Sequence, residues 1–146
     1  AESGILVTEI RAVKDMGSLH YILVDSGFTE LVRPAMYGSY HEMRVVDAKG
    51  APRSGTKIPT VVAGPLCESG DVFTQIEGGV LTTRDLPPAQ VGDYLVIENA
   101  GAYGASMSSN YNSRPYCPEV LVDGEVVTLI RRRQTMAELL ALEEFT

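Results

Sequence analysis

Eight short runs rich in apolar and β-branched residues, none longer than seven residues, are spread along the chain and separated by turn-forming residues. They are Gly4–Ile10, His20–Asp25, Thr60–Ala63, Asp71–Ile76, Val80–Thr83, Gly92–Ile97, Glu119–Val122 and Glu125–Ile130. Runs of this length are too short for core helices and suit strands. Met16-Gly17 and Gly78-Gly79 break the pattern between runs, and Asp123-Gly124 between two β-branched runs is a two-residue hairpin signal. The chain is therefore expected to be all-β, a barrel or sandwich.

Helical signals are few. Thr135-Met136-Ala137-Glu138 has the form of a capping box, and Met136, Leu139 and Leu140 fall on one face, which predicts a short terminal helix over Met136–Glu143. One helical turn fits within Gly101–Ser108, and Lys49–Gly55 reads as a mobile loop. There is no repeat and no linker long enough to divide the 146 residues, so residues 1–146 are expected to form one domain.

Composition narrows the partners. The net charge of −7 disfavours nucleic acid. The one basic cluster, Arg131-Arg132-Arg133, reads as a solvated strand end or an interdomain salt bridge. No apolar run reaches the roughly 18 residues of a membrane span, and no signal peptide precedes the first strand. Two cysteines, Cys67 and Cys117, without a secretory signal read as reduced thiols of a cytoplasmic protein. His20 and His41 share no metal-ligand spacing with either, so no metal site is expected.

Three segments carry chemistry. Cys67 sits in Gly64-Pro65-Leu66-Cys67-Glu68-Ser69-Gly70-Asp71, a thiol and two carboxylates on a turn. A lone cysteine is ordinarily a small buried hydrophobe, but a thiol on a turn also suits proton donation. Asp71 fits a local role, accepting backbone N–H groups of its own turn. Arg33 and Tyr37 are four apart, and would share a face if Arg33-Pro34-Ala35-Met36-Tyr37 were helical, with Pro34 tolerated in the first turn. An arginine offers a planar fork for a carboxylate. Tyr103 stands in Gly101-Ala102-Tyr103-Gly104, where glycines allow close approach of a ligand. The lysines Lys14, Lys49 and Lys57 have no Gly-rich phosphate cradle near them.

These segments, in order, resemble the carboxy-terminal part of the alanine-racemase-like pyridoxal-phosphate decarboxylases. The motifs are Val24–Phe28 leading into Leu31–His41, Val62–Asp71, the Tyr103 loop, and Leu129–Leu140. The likeness is greatest to the diaminopimelate-decarboxylating branch. It implies a Greek-key β-barrel with a short carboxy-terminal helix. It implies that the amino-terminal TIM-type barrel, with the lysine that holds pyridoxal phosphate, lies outside this chain. The family's Glu-Pro-Gly-Arg stretch would lie just upstream of residue 1, so the chain reads as a domain of a longer protein. Strand material from the far amino terminus would also join this sheet, and its absence would leave an edge uncovered.

By resemblance, Cys67 is the acid that protonates the substrate carbon after decarboxylation, reaching across a homodimer into the other subunit's site. Glu68 would hold the distal amino group of the substrate, and Arg33 and Tyr37 its distal carboxylate. Tyr103 would lie against both cofactor and substrate. The implied reaction is conversion of meso-2,6-diaminopimelate to L-lysine and carbon dioxide. Decarboxylation of ornithine, arginine or carboxynorspermidine is the alternative within the family. A non-catalytic binding domain is the alternative outside it. Lacking the cofactor lysine, the isolated chain is expected to be inactive.

Overall fold

The computed structural model describes residues 2–144. They divide into two compact units, with the boundary in sequence between Ser108 and Ser109.

The first unit contains strands β1 (Leu6–Met16), β2 (Leu19–Val24), β3 (Met43–Val46), β4 (Ile58–Ala63), β5 (Gln75–Ile76), β6 (Val80–Leu81), β7 (Arg84–Leu86) and β8 (Tyr94–Ile97), with helix α1 (Arg33–Tyr37) between β2 and β3. Six strands make one sheet in the order β3-β8-β1-β2-β4-β7, and β5 and β6 pair separately. The edge strands β3 and β7 touch, so the sheet curls into a nearly closed barrel. The architecture is the barrel-type, mostly-β class expected from the sequence.

Strand β1 makes the corner. Its first half, Leu6–Glu9, pairs with β8, and its second half, Ile10–Met16, pairs with β2. The register slips between Ile10 and Ala12, and such a bulge bends a long strand so that it serves two sides of a barrel. All sheet pairings are antiparallel except β2 with β4, where His20–Leu23 runs alongside Thr60–Ala63. A parallel pair needs a crossover, and the segment carrying α1 and β3 supplies it.

The core comes from the inward positions of these strands. Ile10, Val62, Leu95 and Ile97 are fully buried, and Ile22, Val24, Val45 and Phe73 nearly so. Two strands go unannounced by the sequence, β3 and β7; both are short edges. The run expected over Asp71–Ile76 is a strand only at Gln75–Ile76, with an isolated bridge from Val72 to Ala63. The loop over Lys49–Gly55 is pinned: the Arg53 guanidinium donates to both oxygens of buried Asp93, at 2.9 and 2.6 Å.

The second unit holds a hairpin, β9 (Glu119–Asp123) with β10 (Val126–Arg131), and the helix α2 (Met136–Leu139). The hairpin forms as expected, with its turn one residue later, at Gly124-Glu125, and Gly124 at φ 60°. The cross-strand pairs Val120–Leu129 and Val122–Val127 put four exposed aliphatic side chains on one face. Helix α2 is capped as the sequence predicts. Thr135 Oγ1 accepts from the Glu138 N–H, and Glu138 reaches back to the Thr135 N–H, but the helix stops at Leu139 rather than Glu143. The basic cluster makes ion pairs within this unit: Arg131 with Glu119 at 3.4 Å, and Arg132 with Glu138.

Candidate functional site

The residues singled out by sequence, Arg33, Tyr37, Cys67, Glu68 and Tyr103, all lie in the first unit. They come from three connections rather than from the barrel interior, as binding residues on a rigid scaffold commonly do.

Arg33 opens α1. Val32 precedes it, Pro34 fills the first turn where its missing N–H costs nothing, and Gly38 ends the helix at φ 61°. Tyr37 is four residues on, so the two side chains share a face. Tyr37 is 54% exposed. The Arg33 guanidinium lies over the Tyr103 ring, 5.8 Å from its centroid. Among the described residues Arg33 makes no ion pair with a carboxylate, so its fork is available to an anion.

Tyr103 is held with φ at 62°, a left-handed conformation uncommon for a tyrosine. Neither Gly101 nor Gly104 has a positive φ; in this loop Tyr103 itself does. Gly104 is needed for closeness, because a side chain there would overlap the Ala100 carbonyl oxygen. The strained backbone holds the Tyr103 ring 60% exposed. Strain of this kind costs on the order of 1–3 kcal/mol and collects at functional sites.

Cys67 and Glu68 are exposed at the tip of the turn between β4 and β5. Cys117 is half-buried. The Glu68 carboxylate accepts from the Ser69 hydroxyl at 3.2 Å and faces the Gly70 N–H at 3.4 Å, local contacts that shape the tip. Asp71 behaves differently. It is 3% exposed, and its carboxylate accepts from the Leu66 N–H inside the turn and from the Phe28 N–H in a distant loop, both at 2.8 Å. The expected local role is only half of what Asp71 does.

Gln75, which the sequence reading passed over, is 3% exposed and donates to the Gly70 and Val72 carbonyls at 2.9 and 2.7 Å. A glutamine on the same strand parity as buried Phe73 was the sequence signal for it. Asn110, near the Tyr103 loop in sequence, braces the second unit instead, donating to the Arg114 carbonyl and to Gln134 Oε1, each at 2.7 Å. A separate concavity of about 310 Å³ lies beside β3 and β7, where Arg84 stacks on Tyr40 at 4.1 Å and Lys57 contributes to the wall. It contains none of the five candidate residues. Tyr40 donates to Glu42 at 2.5 Å, and that bond raises the Tyr40 pKa above the ordinary phenol value. Among the described residues no cluster of His, Cys, Asp and Glu is arranged to hold a metal, and no helix is long and apolar enough to cross a membrane.

A nearly closed β-barrel whose connections display an arginine fork, a tyrosine ring and a thiol-carboxylate turn is a sheet domain. Residues 2–101 match the family described as "Pyridoxal-dependent decarboxylase, C-terminal sheet domain", and the chain belongs to that family. It is similar to the diaminopimelate decarboxylase of Escherichia coli strain K12, 62% identical over 144 residues, covering 98% of this chain and 34% of the relative. A crystal structure of a diaminopimelate decarboxylase superposes with a TM-score of 0.94 at 63% identity, over 98% of this chain and 34% of that one. The structure of diaminopimelate decarboxylase from M. jannaschii in co-complex with L-lysine superposes with a TM-score of 0.85 at 34% identity, over 100% of this chain and 31% of that one. The chain thus spans about a third of the length of the relatives it matches.

Proposed function

We propose that both units belong to the carboxy-terminal domain of a diaminopimelate decarboxylase, and that the full-length enzyme converts meso-2,6-diaminopimelate to L-lysine and carbon dioxide in the cytoplasm. The observation that carries this reading is the pairing of Arg33 with Tyr103, two substrate-binding candidates from different connections brought to one place. High identity to named diaminopimelate decarboxylases supports the substrate.

Pyridoxal phosphate, when bound, draws electrons from the bond to the departing carboxylate. This chain suits a wall of that site but not its anchor. Lys14, Lys49 and Lys57 are all exposed, whereas a lysine that holds the cofactor needs shielding. The exposed ring of Tyr103 offers a flat face for the cofactor ring and the substrate. The Arg33 fork, with Tyr37 on the same helical face, binds the distal carboxylate by charge-assisted hydrogen bonds. Glu68 accepts from the distal ammonium. When carbon dioxide leaves, its former bonding pair stays on the carbon, and Cys67 delivers the proton from Sγ to that carbon. The resulting thiolate is then reprotonated from solvent. The exposure of Cys67 and Glu68 on a turn tip suits delivery into the site of a second subunit in a homodimer.

Ornithine and arginine lack a distal carboxylate, so the Arg33 fork favours diaminopimelate over them. The test is carbon dioxide release from meso-diaminopimelate in the presence of pyridoxal phosphate. It is run on this chain alone and on the chain mixed with a separately made barrel domain. The isolated chain is expected to be silent and to act only as a binding module. Activity from the chain alone would contradict the assignment of the cofactor lysine to another domain.

A further inference from the structure

Resting on the reading above, we propose that Asp71 and Gln75 are positioning residues that set the Cys67–Glu68 turn against the helix carrying Arg33 and Tyr37. Nothing in the turn's own sequence fixes where it sits relative to α1. Two buried polar side chains do.

The first tether runs through Asp71. One carboxylate oxygen takes the Leu66 N–H, next to Cys67, and the other takes the Phe28 N–H, 43 positions away in sequence. Phe28 lies in a tight turn in which the Glu30 and Leu31 N–H groups return to the Gly27 carbonyl, at 3.0 and 3.3 Å. Leu31 is 1% exposed, anchoring the turn in the core, and Arg33 follows two residues later. The carboxylate fits only because Gly27 and Gly64 lack side chains. A Cβ at Gly27 would stand 2.7 Å from Asp71 Oδ1, and one at Gly64 would overlap Oδ2. Two peptide segments are therefore packed against one buried carboxylate and donate to its two oxygens.

The second tether runs through Gln75. Its amide holds the Gly70 and Val72 carbonyls, fixing the far arm of the turn to β5. At the other end of β5, the backbone at Ile76 and Glu77 fits against Gly38, the cap of α1, so closely that a Cβ at Gly38 would overlap the Glu77 nitrogen. The stretch carrying Arg33 and Tyr37 is thus held from both sides by the elements that hold Cys67 and Glu68. Asparagine at position 71 offers a single acceptor oxygen and would turn its NH₂ toward one of the two donors. The two segments would then uncouple.

Hydrogen–deuterium exchange of the full-length protein, read segment by segment in the wild type and in Asp71→Asn, tests this. Exchange should quicken together in segments 25–38 and 64–77, with β1, β2 and β8 unchanged. In the same variant kcat should fall on the order of 100-fold, the cost of misplacing a reacting group by about 1 Å, with a smaller change in KM. Quickening confined to 64–77 would make Asp71 a local turn stabiliser and overturn the proposal. Quickening across the whole barrel would overturn it too, as would coupled loosening with kcat unchanged. Should Asp71→Asn not fold, Gln75→Leu carries the same expectation for segments 33–38 and 64–77. The exchange measurement does not depend on turnover, so it can fail separately from the Cys67 assignment, which Cys67→Ala tests.

Discussion

Arg33 and Tyr103 are seventy positions apart in sequence, yet the guanidinium of one lies over the ring of the other, 5.8 Å from its centroid. A cation over an aromatic face is attracted to it, and a guanidinium also offers a planar fork of donors to a carboxylate. In the proposed function, the Arg33 fork separates a substrate with a distal carboxylate from one without it.

Replacing Arg33 by leucine in the full-length enzyme should therefore lower kcat/KM for meso-diaminopimelate by at least tenfold. A charge-assisted hydrogen bond is worth about 1.5–3 kcal/mol. Steady-state kinetics with diaminopimelate and with ornithine measure this. The loss should be confined to the substrate with the distal carboxylate, and an equal loss for both would remove Arg33 from distal recognition.

Tyr103 should show a trade of stability for function. Its φ of 62° is free of penalty for glycine, so Tyr103→Gly should leave chemical denaturation unchanged or shift it toward greater stability while activity drops. Tyr103→Val, β-branched in a left-handed conformation, should destabilise by about 1–2 kcal/mol or more.

Gly38 and Gly124 have nearly the same backbone angle, φ 61° and 60°, but different surroundings. A Cβ at Gly124 meets nothing within 4 Å, whereas one at Gly38 collides with the backbone at Ile76 and Glu77. Gly124→Ala should cost only the left-handed penalty, about 1–2 kcal/mol. Gly38→Ala should cost clearly more and should raise KM, because it displaces the helix that carries Arg33 and Tyr37. Equal costs in denaturation would show that α1 yields without resistance.

Glu138 gives a pH signature in the second unit. Hydrogen bonds from the Arg132 guanidinium, and then from Thr135, lower its pKa from 4.5 to about 2. A carboxyl depressed in the folded state contributes stability that is fully present above its unfolded value. That contribution is lost as pH falls from about 4.5 toward about 2. The carboxyl carbon resonance of Glu138 should titrate near the lower value, and Arg132→Leu should return it toward the ordinary one. A midpoint near 4.5 in the unmodified protein would mean that the Arg132–Glu138 pair does not form in solution.

The strands with strong β-branched content were legible in the sequence: β1, β2, β4, β8 and the β9–β10 hairpin each lie within or across an apolar run. Met43–Val46 and Arg84–Leu86 were not, because three- and four-residue edge strands carry too few alternations to register. Asp71–Ile76 looked like a strand because Val72, Phe73 and Ile76 are apolar. Asp71 and Gln75 instead commit their side chains to the turn, and apart from the Val72–Ala63 bridge the strand starts only at Gln75. The candidate residues were legible as motifs, through resemblance. Their relations were not. The Phe28–Asp71 bond and the Arg33–Tyr103 stacking join positions far apart in sequence, and local pattern holds no trace of such contacts.

Single-turnover decarboxylation of meso-diaminopimelate by the full-length enzyme, comparing wild type with Cys67→Ala, tests the central claim most directly. Substrate affinity should be retained, and the rate of L-lysine formation should fall by about 100-fold or more, the scale of a lost general acid. An undiminished rate in Cys67→Ala would contradict the assignment of Cys67 as the proton donor.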